Sequence, residues 1–261
     1  MLKTRIVTAV IGIPLLLGVL YLGQPYWNIL FGIMGVVGLN EYLKMLKNHD
    51  IHPIEIPSYL LLLILLFRQQ LGSVSLYLLL AFILMIVFLV IQYPRINIAD
   101  FAFSLMGTVY IGYLLGFAIL MADFEKSFSY ILLCFLLTWS TDVGGYLFGK
   151  LWGKRKMTAQ LSPNKTWEGS MGGIILTIIT ALVFSYFYEM GTSNLAYVLI
   201  LAFLVSAVAQ FGDLFISAIK RFCGVKDAGH IIPGHGGVLD RFDSFILVVP
   251  VLYSFIRFML I

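Results

Sequence analysis

Between Ile6 and Gly23 the chain carries no charged residue, and apolar runs of this kind return all the way to Ile261. A bilayer core is about 30 Å thick, and a helix needs about 20 apolar residues to cross it. Hydrocarbon offers no water to satisfy peptide N–H and C=O groups, so runs of this length and composition must fold as helices. Reading the polar interruptions as ends gives nine candidate spans: Ile6–Gly23, Tyr26–Tyr42, Ile56–Phe67, Leu71–Tyr93, Phe101–Ala122, Phe128–Gly149, Gly169–Glu189, Asn194–Ile219 and Ser244–Ile261. The third is the shortest and the least able to cross alone. Charged residues make up 11% of the chain, against roughly 25% in soluble domains. The expected fold is all-α, a polytopic membrane protein of about nine transmembrane helices. Residues 1–261 form a single integral-membrane domain in this reading, with N-terminal spans in 1–122 and the chemistry in 123–261.

Met1-Leu-Lys-Thr-Arg5 ahead of the first run mimics a secretory signal. Gln24-Pro-Tyr-Trp27 follows in place of a small-residue cleavage site, so the run reads as a retained span. With the N-terminus inside and nine spans, only Arg68, Lys126 and Arg257 of the 17 lysines and arginines fall on the outer side. Removing the third span erodes that asymmetry, so the positive-inside rule favours nine. The net charge of +4 is thus a matter of topology, and nucleic acid is not an expected partner. Cys134 and Cys223 supply neither a disulfide framework nor metal-ligand spacing. His49 and His52, in the linker after the second run, read as surface residues.

The polar residues are concentrated from Gly212 to Ser244, which holds Asp213, Asp227, Asp240 and Asp243 together with Lys220, Arg221, Lys226 and Arg241. Asp213, Ser217 and Lys220 share one helical face, which Gln210 and Ser206 extend backwards. Pro233-Gly-His-Gly-Gly237 cannot continue a helix, and such a segment can aim backbone N–H groups at an anion. Asp240 and Asp243 share a face at the start of the last helix. Carboxylates beside anion-binding amides point to metal-bound phosphate, because carboxylates alone repel it. Helix capping by these aspartates is the plain alternative, and it explains neither Asp213 nor the glycines.

Two further features stand outside that stretch. The sixth span carries Thr138, Asp142, Gly145 and Gly149 at helical spacing, and an intramembrane carboxylate is costly unless it faces protein or a wet cavity. Asp142 is therefore a site candidate, with the polar stripe of the eighth span as its natural partner, and the glycines read as packing surface. Lys150 to Thr166 reads as a basic loop. Within it Lys165 precedes a glycine-rich helix start, where a lysine and free amides suit phosphate oxygens. The sequence leaves open whether Glu168 caps that helix, binds metal or pairs with a cation.

The run S-A-I-K-R-F-C-G-V-K-D-A-G-H-I-I-P-G-H-G-G-V-L-D-R-F-D from Ser217 to Asp243 resembles the signature of the phosphatidate cytidylyltransferases, the CDP-diacylglycerol synthases. S-P-N-K-T-W-E-G from Ser162 to Gly169 is similar to a second block of that family. The two blocks lie in the last half of the chain. The resemblance implies transfer of a cytidylyl group from CTP to phosphatidate, giving CDP-diacylglycerol and pyrophosphate, with Mg²⁺ required. It also implies a second cation such as K⁺ and a homodimer; the expected location is the cell (inner) membrane, and the charge asymmetry puts both polar blocks at its cytoplasmic face. Asp213, Asp240 and Asp243 are the expected metal ligands, with Asp142 and Asp227 as further candidates. Lys165, Lys220, Arg221 and Arg241 are expected at phosphates, and Lys226, His235, Gly236 and Gly237 at the nucleotide.

Two rivals stand beside this reading. A CTP-dependent membrane lipid kinase needs many of the same parts but transfers the terminal phosphoryl group. A cation or proton transporter explains Asp142 and Asp213 as intramembrane sites, but not glycines and cations concentrated in two loops. The CDP-alcohol phosphotransferases are disfavoured because their D-G…A-R…G…D…D spacing is missing.

Overall fold

The computed structural model describes residues 2–188 and 194–259, with side chains from Ile6 onward. Glu189 and Ile261, the expected ends of the seventh and ninth spans, and the side chains of Lys3 and Arg5 lie outside the described residues. Among the described residues nine helices follow in order: α1 Leu2–Tyr21, α2 Tyr26–Lys47, α3 Glu55–Leu66, α4 Val74–Gln92, α5 Ile98–Met121, α6 Ser127–Trp152, α7 Trp167–Phe187, α8 Leu195–Phe222 and α9 Leu239–Met259. Seven of them, α2 and α4 to α9, are long and apolar enough to cross a membrane. The third run forms a helix of 12 residues, about 18 Å long at 1.5 Å per residue, which is less than the hydrocarbon thickness.

Lys150 to Thr166 is not a plain loop. Lys150 to Trp152 complete α6, and then β1 Lys156–Thr158 and β2 Ser162–Thr166 pair antiparallel, with Lys156 opposite Thr166 and Thr158 opposite Ser162. Hydrophobic alternation over such short strands is too brief to read from the sequence. The hairpin is instead closed at its base by Glu168, whose carboxylate accepts the N–H groups of Lys154 and Arg155 at 3.1 to 3.3 Å. Thr166 then caps α7 by accepting the Gly169 N–H at 3.1 Å.

The chain divides into two units. The first runs to Asp123 and takes in Lys220–Arg241; the second comprises Phe124–Ile219 and continues from Phe242. In the first, buried Trp27 of α2 donates its indole N–H to the Ala118 carbonyl of α5 at 2.8 Å. The Tyr42 ring fills the space a Cβ on Gly107 would need, and its hydroxyl donates to the Phe103 carbonyl at 2.9 Å. Helix α5 opens with a capping box: Asn97 accepts the Asp100 N–H, and Asp100 accepts the Asn97 N–H. The other oxygen of Asp100 accepts the His52 N–H at 2.8 Å, which ties the α2–α3 connection to the start of α5.

In the second unit α6 and α7 pack backbone to backbone: Gly145 and Gly149, read as packing surface, lie along this contact, and its tightest backbone approach is at Gly144. A Cβ at Gly144 would lie 2.5 Å from the Gly172 carbonyl oxygen and 3.0 Å from the Gly173 Cα. That approach lets the Thr141 and Thr177 hydroxyls meet at 2.7 Å in the buried seam, and Ser140 and Thr180 do the same at 2.7 Å. Small residues serve this purpose where lipid gives helices no hydrophobic reason to associate. The Gly144→Ala variant should therefore lower the thermal unfolding midpoint of the detergent-purified protein, by the equivalent of about 1–3 kcal/mol of overpacking. Gly12→Ala, where nothing lies within 4 Å, should leave it unchanged. Equal midpoints for the two variants would contradict this account of the seam.

Candidate active site

In the second unit the two polar blocks meet. Lys165, at the end of the hairpin, places its Nζ 2.6 Å from Oδ2 of Asp213 on α8. The other Asp213 oxygen accepts from Ser217 at 3.2 Å, so these two members of the predicted polar stripe are in contact. The upper part of the stripe turns to α7: the Gln210 amide lies 3.4 Å from the Ser170 carbonyl and 3.4 Å from the Ser206 hydroxyl. Beside Asp213, Gly212 brings α8 against the backbone of α9; a Cβ there would lie 2.7 Å from the Asp243 carbonyl oxygen. Asp213 and Asp243 thus stand on helices that touch beside both residues. The Asp243 Oδ1 accepts the Ser244 N–H at 2.7 Å. The Ser244 hydroxyl is buried and has no hydrogen-bond partner among the described residues.

Asp142 lies on the exposed side of α6, while Ser140 and Thr141 of that helix reach α7. Glu168, whose role the sequence left open, holds the hairpin base.

In the first unit the signature segment is organised around Asp240. Its Oδ1 takes the Lys220 ammonium at 2.7 Å, and its Oδ2 accepts the N–H groups of Ala228 at 2.8 Å and Gly237 at 3.0 Å. These bonds hold the Asp240 carboxylate below the surface. Within the segment Ile232 and Gly236 form an isolated antiparallel bridge around Pro233-Gly-His. Gly234 and Gly236 sit at φ +76° and +89°, a region that strains any residue with a side chain. The His235 ring Nδ1 is buried and unpartnered among the described residues. Arg221 and Arg241 are exposed, and Arg221 donates to the Val225 carbonyl at 3.2 Å. Lys226 and Asp227 line a cavity of about 480 Å³ together with Asn40, Glu41, Lys44 and His230.

Glu41 is the residue that sequence reasoning missed. It marked the end of the second span, yet it is only 2% exposed. Its two oxygens accept the Val238 N–H at 3.0 Å and the Leu239 N–H at 2.8 Å, the amides just before and at the start of α9. A sequence separation of 197 residues conceals the pairing. The available signal was a lone carboxylate inside an apolar helix, which must find partners.

Among the described residues no three or more His, Cys, Asp or Glu are gathered as a ready metal cluster. What the two units present is oxygen donors, ammonium groups and glycine-shaped backbone on a helical membrane protein, the equipment of an enzyme that handles phosphates. The sequence model of the cytidylyltransferase family matches residues 3–259. The chain is 37% identical over 258 residues to the phosphatidate cytidylyltransferase of Staphylococcus haemolyticus (strain JCSC1435), covering 96% of this chain and 97% of that protein. It is 38% identical over 255 residues to the protein of that name from Staphylococcus saprophyticus, with 96% and 97% covered. The counterpart from Staphylococcus aureus (strain COL) is 37% identical over 255 residues, with the same coverage. The chain belongs to the cytidylyltransferase family.

The Lys220–Asp240 pair is largely shielded, with side-chain exposures of 11% and 3%. Removing one partner of a buried pair leaves the other charge uncompensated, so Lys220→Met should cost roughly 3 kcal/mol of unfolding free energy. Denaturant titration of the purified protein measures it. A loss near zero would show that solvent already serves this carboxylate.

Proposed function

We propose that the chain transfers the cytidylyl group of CTP to phosphatidate, releasing pyrophosphate and forming CDP-diacylglycerol. The observation that carries this reading is the 2.6 Å contact of Lys165 with Asp213. It joins a phosphate-seeking cation from one family block to a carboxylate just ahead of the other, within an otherwise apolar bundle.

A phosphate oxygen of phosphatidate forms the new bond to the α-phosphorus. The bridging bond between the α- and β-phosphates breaks, and its electron pair leaves on pyrophosphate. The nucleophile is already ionised at neutral pH, so the chain needs no general base. Its task is placement and charge neutralisation. Lys165 supplies positive charge to the departing pyrophosphate. The backbone around Gly236 and Gly237, with the His235 ring and Lys226, receives the nucleotide, and Arg221 and Arg241 add charge at the segment's edges.

The donor chemistry fits Mg²⁺. Asp213 and Asp243 offer carboxylate oxygens from touching helices, and Ser244 adds a buried hydroxyl without a partner among the described residues; hard divalent cations take oxygen ligands of this kind. Bound there, Mg²⁺ supplies charge stabilisation to the phosphoryl oxygens. Asp240, expected as a third ligand, is buried with both oxygens held by Lys220, Ala228 and Gly237, whereas the Asp213 carboxylate and its Lys165 partner are partly exposed and open to exchange. In this proposal Asp240 shapes the loop. A second monovalent cation and a homodimer enter on the family resemblance alone.

Label at the α-phosphorus of CTP should enter the lipid, and label at the β and γ positions should leave as pyrophosphate. Label from the γ position in the lipid, with CDP released, would establish the kinase reading instead. Asp213→Asn and Asp243→Asn should each lower turnover by two to three orders of magnitude, about 3–4 kcal/mol of transition-state stabilisation, while folded protein still accumulates. Near-normal turnover at limiting Mg²⁺ would remove them from the metal proposal.

The membrane is proposed to be the cell membrane, with Lys150–Thr166 and Arg221–Asp240 at its cytoplasmic face, because the side that carries these segments holds the larger share of lysine and arginine whether or not the short α3 crosses. Single cysteines placed in these segments should react with impermeant reagent only from the cytoplasmic side of oriented vesicles. Labelling of either segment from the outside would overturn that topology.

A further inference from the structure

The segment from Gly224 to Val238 contains no helix or strand beyond the single bridge between Ile232 and Gly236. Two carboxylates grip it. Asp240 binds the Ala228 and Gly237 amides, and Glu41 binds the Val238 and Leu239 amides from α2. The glycines of the segment are cut to fit the second of these. A Cβ on Gly237 would lie 2.5 Å from the Glu41 Oε2, and one on Gly229 would run into its Oε1. Gly237 is thus held on both sides, its N–H by Asp240 and its Cα face by Glu41. A simple cap for α9 needs amides and a carboxylate, but it gives no reason for a cradle built from Gly229, ten residues before the helix begins.

Glu41 also stands in the wall of the cavity of about 480 Å³ between α2 and Val225–Ile231. Lys44 of α2 and Asn48 just beyond it line the same cavity, as do Lys226 and His230 of the loop. The volume is in the range of small-molecule sites, roughly 300–1,000 Å³. The unpartnered His235 Nδ1 lies in the part of the loop that the two carboxylates fix.

We infer that Glu41 is a positioning residue for the nucleotide: it presets the loop that receives CTP and so sets the affinity for CTP, without touching the substrate. This rests on the cytidylyltransferase reading above. Glutamine at this position keeps the shape but offers an NH₂ group where an oxygen now accepts an amide, so one of two charge-assisted bonds is lost and the other weakened. Gly229→Ala reaches the same carboxylate from the loop side.

The test uses the full chain in lipid, with CTP and phosphatidate varied separately and amide exchange followed over residues 225–239. Glu41→Gln should raise the KM for CTP about tenfold or more, as expected for charge-assisted bonds, and leave the KM for phosphatidate at the wild-type value. Exchange should quicken over 225–239 while α3 to α5 keep their protection. Gly229→Ala should give the same selective change, and the double variant should be no worse than the worse single one, because both act on one contact. Unchanged KM for CTP, additive effects, or a loss of folded protein that accounts for all lost activity in both variants would overturn the proposal. If the wild-type chain fails to convert CTP, the functional reading falls. The exchange arm, run without substrate, still reports whether Glu41 holds the loop.

Discussion

A carboxylate in an apolar chain must be surrounded by donors, and this protein turns that requirement into a building method. Glu41, Asp100, Glu168 and Asp240 all use their oxygens on backbone N–H groups of segments that have no regular structure of their own. Asp100 ties down the connection after α2, Glu168 the base of the hairpin, and Glu41 and Asp240 the signature loop. An unpaired buried amide or carboxylate is expensive, so each such match selects one loop conformation out of many. These four acidic side chains supply partners to backbone amides that the neighbouring helices and strands leave unsatisfied.

Glycine supplies the complementary condition, which is proximity. At Gly144 and Gly169 it permits helix backbones to touch, at Gly212 it brings α9 beside Asp213, and at Gly229 and Gly237 it leaves room for a carboxylate. The same residue therefore appears in packing seams and in the loop for one reason: a Cβ would occupy space already taken by a backbone or charged atom. Substitution at these places acts on geometry first and on chemistry through it.

The helical class of the fold was legible because hydrocarbon permits so few backbone solutions to long apolar runs. That the glycines of the sixth span serve packing was legible too, since glycines at helical spacing have few other uses in a span, but that α7 is their partner was not. The candidate site was legible in composition and less so in its pairings. Asp240 and Asp243 fit one face on paper, yet Asp240 turns to Lys220 and two amides, while Asp243 stands at the close approach of α8 and α9. The hairpin escaped notice because its strands are too short for alternation to register. Glu41 escaped because its partners are nearly two hundred residues away and are peptide N–H groups, which every residue but proline has. Long-range contacts between a side chain and the backbone leave almost no mark in a single sequence.

Magnitudes separate the two ion pairs. Lys220 and Asp240 have side-chain exposures of 11% and 3%, and breaking a pair so placed costs about 3–5 kcal/mol. Lys165 and Asp213 are exposed to 26% and 29%, where water and salt screen the attraction and the pair is worth about 1 kcal/mol or less. The first is a fastening, since no ligand recovers that cost without taking its place completely. The second is exchangeable: a phosphate can draw off the ammonium and a cation can take the carboxylate with little to offset. A site for two anionic substrates needs charges that are placed in advance but only weakly committed to each other. In the function proposed above, the partly exposed Lys165–Asp213 pair meets that need, while the Lys220–Asp240 pair is a fixed fastening of the signature loop.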